Sequence, residues 1–114
     1  MADCLFCKII AKEIPSNIVY EDERCLAFRD IEPQAPVHII LIPKAHIPSA
    51  NALDEENCGV VGHIFAVAAK IAKEQGFAEQ GYRLVNNCGE DGGQTVQHLH
   101  VHLLAGRNLG WPPG

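Results

Sequence analysis

The sequence predicts an α+β fold: about five strands in a mostly antiparallel sheet, with one long and one short helix. Three observations predict it. β-rich runs recur at 17–20, 25–29, 37–42, 82–88 and 98–104, parted by polar or proline-bearing turns. One long stretch, 54–75, carries apolar residues at helical spacing. With 47% apolar residues in 114, the chain can bury one modest core, so 1–114 reads as a single domain.

The elements follow in order. Residues 4–12 mix apolar and basic side chains and suit a short helix, ended by Glu13-Ile14-Pro15-Ser16. Asn17–Tyr20 and Cys25–Arg29 are short strands around the polar turn Glu21-Asp22-Glu23-Arg24. Asp30–Pro36 is a proline-bounded loop, and Val37–Ile42 is a strand stopped by Pro43. Asp54 is placed to cap the long helix, with Glu55 and Glu56 in its first turn. Val60, Ile64, Val67, Ala68 and Ile71 form its buried stripe, and Gly76 stops it. Gly59 and Gly62 each cost about 1 kcal/mol against alanine in a helix, which points to close backbone packing on a sheet or a partner subunit. Tyr82–Cys88 is a strand, 89–94 a turn-rich loop, and His98–Leu104 the last strand. The tail, 106–114, carries Trp111-Pro112-Pro113 and cannot continue a sheet.

Composition excludes several classes. A net charge of −5 argues against a general nucleic-acid or anionic-membrane binder. No apolar run reaches membrane-spanning length. The N-terminus lacks a basic stretch followed by a long apolar run, and the five cysteines are odd in number and scattered. Reduced thiols in a cytoplasmic protein are the expectation, with Cys25, Cys58 and Cys88 as small buried hydrophobes.

The functional content concentrates in His98-Leu99-His100-Val101-His102-Leu103-Leu104. Strand periodicity puts the three imidazoles on one face and Leu99, Val101 and Leu103 on the other. Alternate residues lie about 6.6 Å apart, so His98 and His102 start about 13 Å apart, too far to share one metal on a regular strand. Covalent catalysis fits better. Neutral imidazole attacks phosphorus well, and His100 has an imidazole on each side to hold phosphate oxygens and move protons. Gly92-Gly93-Gln94-Thr95, just upstream, lets backbone N–H groups approach an anion and adds a hydroxyl.

These residues resemble the histidine-triad (HIT) family, whose signature is His-x-His-x-His followed by two apolar residues. Cys25–Ile31, Pro33–Pro36, Ile42–His46, Asp91–Thr95 and Trp111–Gly114 look like its nucleotide-binding, Hint-like branch, so the resemblance covers nearly the whole chain. It implies a HIT-like fold and a homodimer with one continuous sheet through both subunits, the tail near the interface. It implies binding of purine nucleoside monophosphates and hydrolysis of adenosine or guanosine 5′-phosphoramidates through a nucleotidyl-histidine. His100 would be the nucleophile, His102 would contact the phosphate, and His98 would support the site. Asp30 would accept from the ribose hydroxyls and Ile31 would pack on the base. Asn87, Gly93, Gln94 and Thr95 would surround the phosphate. The branch usually has serine where Thr95 stands; threonine keeps the hydroxyl. Gln97 replaces a residue that is often aromatic.

Cys4 and Cys7 form a Cys-x-x-Cys pair with no strand before it, which disfavours a thioredoxin-like role. Some family members bind structural zinc with such a pair, the upstream histidine and the first triad histidine. The resemblance thus implies a Cys4, Cys7, His46, His98 zinc site, with no cofactor required for the chemistry itself. His38 and His63 receive no role. Two other functions use the same pocket: hydrolysis of dinucleoside polyphosphates, and nucleotide binding by a regulatory or scaffold protein without catalysis.

Overall fold

A computed structural model describes residues 3–114. Five strands form one sheet: β1 (Ile18–Glu21), β2 (Cys25–Arg29), β3 (Val37–Pro43), β4 (Tyr82–Val85) and β5 (Val101–Ala105). Their order is β1-β2-β3-β5-β4, and every neighbouring pair is antiparallel. Among the described residues three α-helices accompany them, α1 (Leu5–Ile10), α2 (Gly59–Gln75) and the single turn α3 (Gly89–Gly92), with one 3-10 turn at Ala50–Ala52.

Strand alternation divides the interior into two layers. Cys25 and Ala27, Ile39 and Leu41, and Val101, Leu103 and Ala105 face α2, meeting Ile64, Val67, Ala68, Ile71 and Ala72. The intervening residues Leu26, Phe28, Ile40 and Ile42 face the opposite way and pack with Phe6 and Ile9 of α1. The sheet is therefore covered on both sides, by a long helix on one and a six-residue helix on the other. The part of the second face that α1 leaves uncovered is where the site lies.

The predicted boundaries shift in four places. The last strand begins at Val101 rather than His98, because Pro43, lacking an N–H, ends β3 and with it the ladder beyond Leu41↔Val101. The segment 98–100 is tied instead by Leu99 N–H to the Ile47 carbonyl at 2.6 Å. Likewise β4 stops at Val85, after which the Asn86 side chain, not a backbone group, bonds the His100 carbonyl at 2.9 Å. Asp54 does cap a turn: its Oδ1 accepts from Glu56 and Asn57 N–H at 2.8 and 2.9 Å, while Asn57 Oδ1 accepts from Asp54 N–H. Regular helix follows only from Gly59. The expected loop after Cys88 winds into α3, closed by Gly93 at φ 82°.

Two packing expectations also change. Gly62 does not touch the sheet; a Cβ added there meets nothing within 4 Å. Of the three cysteines expected in the core, only Cys25 is buried; Cys58 is exposed and Cys88 half-buried.

Candidate functional site: a histidine relay beside a Cys-His tetrad

The three triad imidazoles share the Phe6 side of the sheet, opposite Val101 and Leu103, but only His102 lies within a strand and the three occupy different environments. His98 is fully buried with both ring nitrogens engaged: Nε2 bonds the Pro43 carbonyl at 2.9 Å, and Nδ1 turns toward Cys4, Cys7 and His46. Its imidazole does not line the cavity that His100 and His102 share; its backbone carbonyl reaches His100 instead. The His98 carbonyl accepts the Nδ1–H of His100 at 2.7 Å. That bond fixes the tautomer of His100 and leaves Nε2 as an unprotonated lone pair. Asn86 Nδ2 holds the His100 carbonyl, so backbone and ring are both positioned.

His102, the only triad member within β5, belongs to a second chain of bonds. The Gln34 backbone N–H can only donate, so His38 Nδ1 accepts at 3.0 Å. His38 Nε2 therefore carries the proton and donates to His102 Nδ1 at 2.9 Å, which leaves His102 Nε2 as an N–H donor. Asp30 Oδ2 stands 3.5 Å from His38 Nε2. The His98 carbonyl thus makes His100 an acceptor and the relay makes His102 a donor, side by side, with ring centroids 5.0 Å apart. Burial pushes His102 down to about 4, helped by the neighbouring His100 and His38, and burial also lowers His38 against the opposing pull of Asp30. Both are neutral at pH 7, as the relay requires.

His38 carries no pattern signal in the sequence. It lies in an apolar run, and its pairing with His102 depends on β3–β5 register, which sets Ile40 opposite His102 and His38 opposite Leu104. In that register both histidines stand on the same sheet face, diagonal neighbours across the ladder.

His100 and His102 open into a cavity of about 440 Å³ whose other walls include Phe6, Ile9, Phe28, Asp30, Ile31, Ile40 and Thr95. That volume lies within the usual range for small-molecule sites. A larger open cleft, about 530 Å³, lies outside Cys4 and His46 and contains neither His100 nor His102. Ile31 is 94% exposed at the cavity rim. Asp30 Oδ1 accepts from Glu32 N–H at 2.8 Å, and the carboxylate remains at the cavity wall.

The upstream loop is held by its own hydrogen bonds. The Gln94 amide is spent within the protein: Oε1 accepts from Gly89 N–H, and Nε2 donates to the Pro48 and Val96 carbonyls at 2.8 and 3.0 Å. The backbone N–H groups of Gly93 and Gln94 close α3 onto Glu90 and Gly89. Gln94 is a strut that presents Thr95, and Thr95 reaches the cavity wall. Asn87 lies in a separate small cleft on the His38 side of His102.

The Cys4, Cys7, His46 and His98 donor atoms all lie within 4.8 Å of one another. The two Nδ1 atoms are 3.2 Å apart, and the sulfur–nitrogen separations Cys4–His98, Cys7–His46 and Cys7–His98 are 3.4, 3.3 and 3.6 Å. A tetrahedral zinc with bonds of about 2.0–2.1 Å to nitrogen and 2.3 Å to sulfur needs ligand edges of about 3.3–3.8 Å. The Pro43 bond keeps the His98 proton on Nε2, so its Nδ1 offers a lone pair to the tetrad. The residues fit such a metal in donor type, spacing and tautomer.

An antiparallel sheet that sets a tautomer-fixed histidine beside a relayed histidine defines a histidine-triad protein. The HIT domain family pattern matches residues 11–109, and the chain belongs to that family. It is 54% identical over 112 residues to an uncharacterized HIT-like protein of Synechococcus elongatus, covering 98% of this chain and 97% of the relative. A crystal structure of a HIT family hydrolase from Legionella pneumophila superposes with a TM-score of 0.96 at 50% identity, covering 98% of this chain and all of that one. A histidine triad nucleotide-binding protein from Candida albicans superposes with a TM-score of 0.82 at 33% identity, covering 96% of this chain and 83% of that one.

Proposed function

We propose that this protein hydrolyses purine nucleoside 5′-phosphoramidates through a nucleotidyl-histidine. The observation that carries the reading is the 2.7 Å bond from His100 Nδ1–H to the His98 carbonyl, which leaves Nε2 free beside the His102 donor. Nε2 of His100 attacks the α-phosphorus, the P–N bond breaks, and the amine departs with a proton from solvent. Water then attacks the same phosphorus, the bond to Nε2 breaks, and the nucleoside monophosphate leaves. One water is consumed, its proton balancing the amine and its hydroxyl joining phosphorus. His102 Nε2–H, held by the Gln34–His38 chain, donates to a phosphate oxygen whose charge grows in the transition state. Thr95 supplies a hydroxyl to the same group, Asp30 accepts from ribose, and Ile31 with Phe28 and Phe6 encloses the base. The Legionella relative is named a hydrolase and the Candida relative a nucleotide-binding protein, in line with this chemistry.

Two further features belong to the same reading. A zinc ion in the Cys4–Cys7–His46–His98 tetrad would serve a structural role, supplying bonds between α1 and the ends of β3 and β5. A homodimer would form through the free edge of β4 and the outer stripe of α2, where Phe65 is 49% exposed and Gly62 and Ala66 are exposed. The tail runs beside that edge, its Leu109 and Gly110 carbonyls accepting from Arg83 of β4 at 3.1 and 2.7 Å.

The test is turnover of adenosine 5′-phosphoramidate and of diadenosine polyphosphates by the protein and by His100→Ala. The phosphoramidate is expected to turn over faster, and the variant to lose at least about 10³-fold in kcat, the scale of removing a covalent nucleophile. Faster cleavage of the dinucleotide, or retained turnover in the variant, overturns the proposal.

A further inference from the structure

We propose that metal occupancy of the Cys4–Cys7–His46–His98 tetrad sets the affinity of the adjoining cavity for a nucleoside monophosphate, by holding α1 in place as the cavity's wall. The inference rests on both the nucleotide and the metal readings above and adds a coupling between them.

The coupling has two physical routes. The first is α1 itself. It has six residues, and a helix that short does not persist on its own local bonds. Its position depends on what fastens it. One fastening is apolar: Phe6 and Ile9 are buried against the sheet. The other is the pair of sulfurs at its N-terminal end, where Cys4 Sγ caps the helix by accepting from Cys7 N–H at 3.3 Å and both sulfurs face the two histidines. Leu5, Phe6 and Ile9 of this same helix line the cavity. Phe6 stands between the two sites, edge-on to His98 at 5.8 Å and to His100 at 5.1 Å. The second route is His98. Its Nδ1 belongs to the tetrad while its carbonyl holds the Nδ1–H of His100.

Without a metal, the tetrad is joined by thiol–imidazole contacts, which are weak hydrogen bonds. With one, four coordinate bonds tie α1 to the segments that carry His46 and His98. A cavity whose wall is docked only part of the time binds its ligand more weakly in proportion to the docked fraction. Binding linkage is reciprocal, so the nucleotide must tighten metal binding by the same factor.

The experiment uses the full chain, stripped with a chelator under reductant and reloaded with zinc. AMP affinity is measured by calorimetry, amide exchange is followed across residues 5–10, and zinc affinity is titrated against a competing chelator with and without AMP. We expect the loaded form to bind AMP about tenfold more tightly, residues 5–10 to gain protection, and AMP to raise zinc affinity by about the same tenfold. Cys4→Ser/Cys7→Ser should match the stripped protein and ignore zinc. Phe6→Leu, which keeps all four metal ligands, should still take up zinc but show a smaller coupling factor. Equal AMP affinity with and without one bound zinc per chain overturns the inference while leaving both underlying readings intact. No AMP binding in either form removes the nucleotide reading and the inference with it. AMP binding without zinc uptake removes the metal reading and the inference, leaving the nucleotide reading untouched.

Discussion

His100 and His102 differ in role because each has a different partner for its Nδ1. One Nδ1 donates to a carbonyl and the other accepts from His38, so one free Nε2 is an acceptor and the other a donor. Removing the relay should therefore impair the chemistry more than the binding. His38→Ala is expected to lower kcat by about 100-fold with a much smaller change in KM, measured with the phosphoramidate substrate. The same environment ties stability to pH. Folded, His102 titrates near 4; an ordinary histidine in the unfolded chain titrates near 6.5. Between these values the unfolded chain binds more protons, so the His102 contribution is complete above about pH 6.5 and falls as pH drops toward 4. Denaturant unfolding of His102→Gln should show a shallower loss of stability across that window than the parent protein. Parallel curves would refute it. The triad itself was legible as residue types and spacing. The separation of its members was not, since it depends on Pro43 ending one strand and on a histidine 60 residues upstream of His98 that no pattern marks.

At the scale of elements, β2 and the apolar stripe of α2 follow directly from local pattern: alternation and helical spacing each assign a buried face, and the core uses both. Apart from β5, which Pro43 limits, the elements that failed to match are those bounded by side chains from beyond their own residues. Asn86 replaces a ladder bond, Asp54 and Asn57 cap a turn ahead of α2, and Gln94 shapes the loop after α3. Gly62 shows the opposite case, a residue costly to the helix at a position that no neighbour in this chain crowds. Since a Cβ there meets nothing within 4 Å, a single copy should tolerate a side chain at this position. Gly62→Arg is accordingly expected to keep the fold and thermal midpoint of one copy while converting the proposed dimer to monomer, read by analytical ultracentrifugation. A variant that stays dimeric would move the interface away from α2.

For the whole molecule, both faces of the sheet carry core, one against α2 and the other against α1, and both candidate sites lie on the α1 side. No helix among the described residues is long and apolar enough to cross a membrane. A domain of 114 residues with a short second layer would gain much from a metal that binds only the folded form. Excess zinc at about 1,000 times its Kd is worth about 4 kcal/mol. Chelation should therefore lower the thermal midpoint by about 10 °C or more, checked by calorimetry with and without chelator. An unchanged midpoint would argue that the tetrad holds no ion. By itself the sequence determined the α+β class, the faces of the long helix and central strands, and the residues able to do phosphorus chemistry, because these depend on local periodicity and side-chain type. Only the tertiary structure decided which triad histidine presents a free acceptor nitrogen, which presents a donor and which turns toward the cysteines. Those assignments depend on which ring nitrogen carries a proton, and that is set by partners brought together from distant parts of the chain.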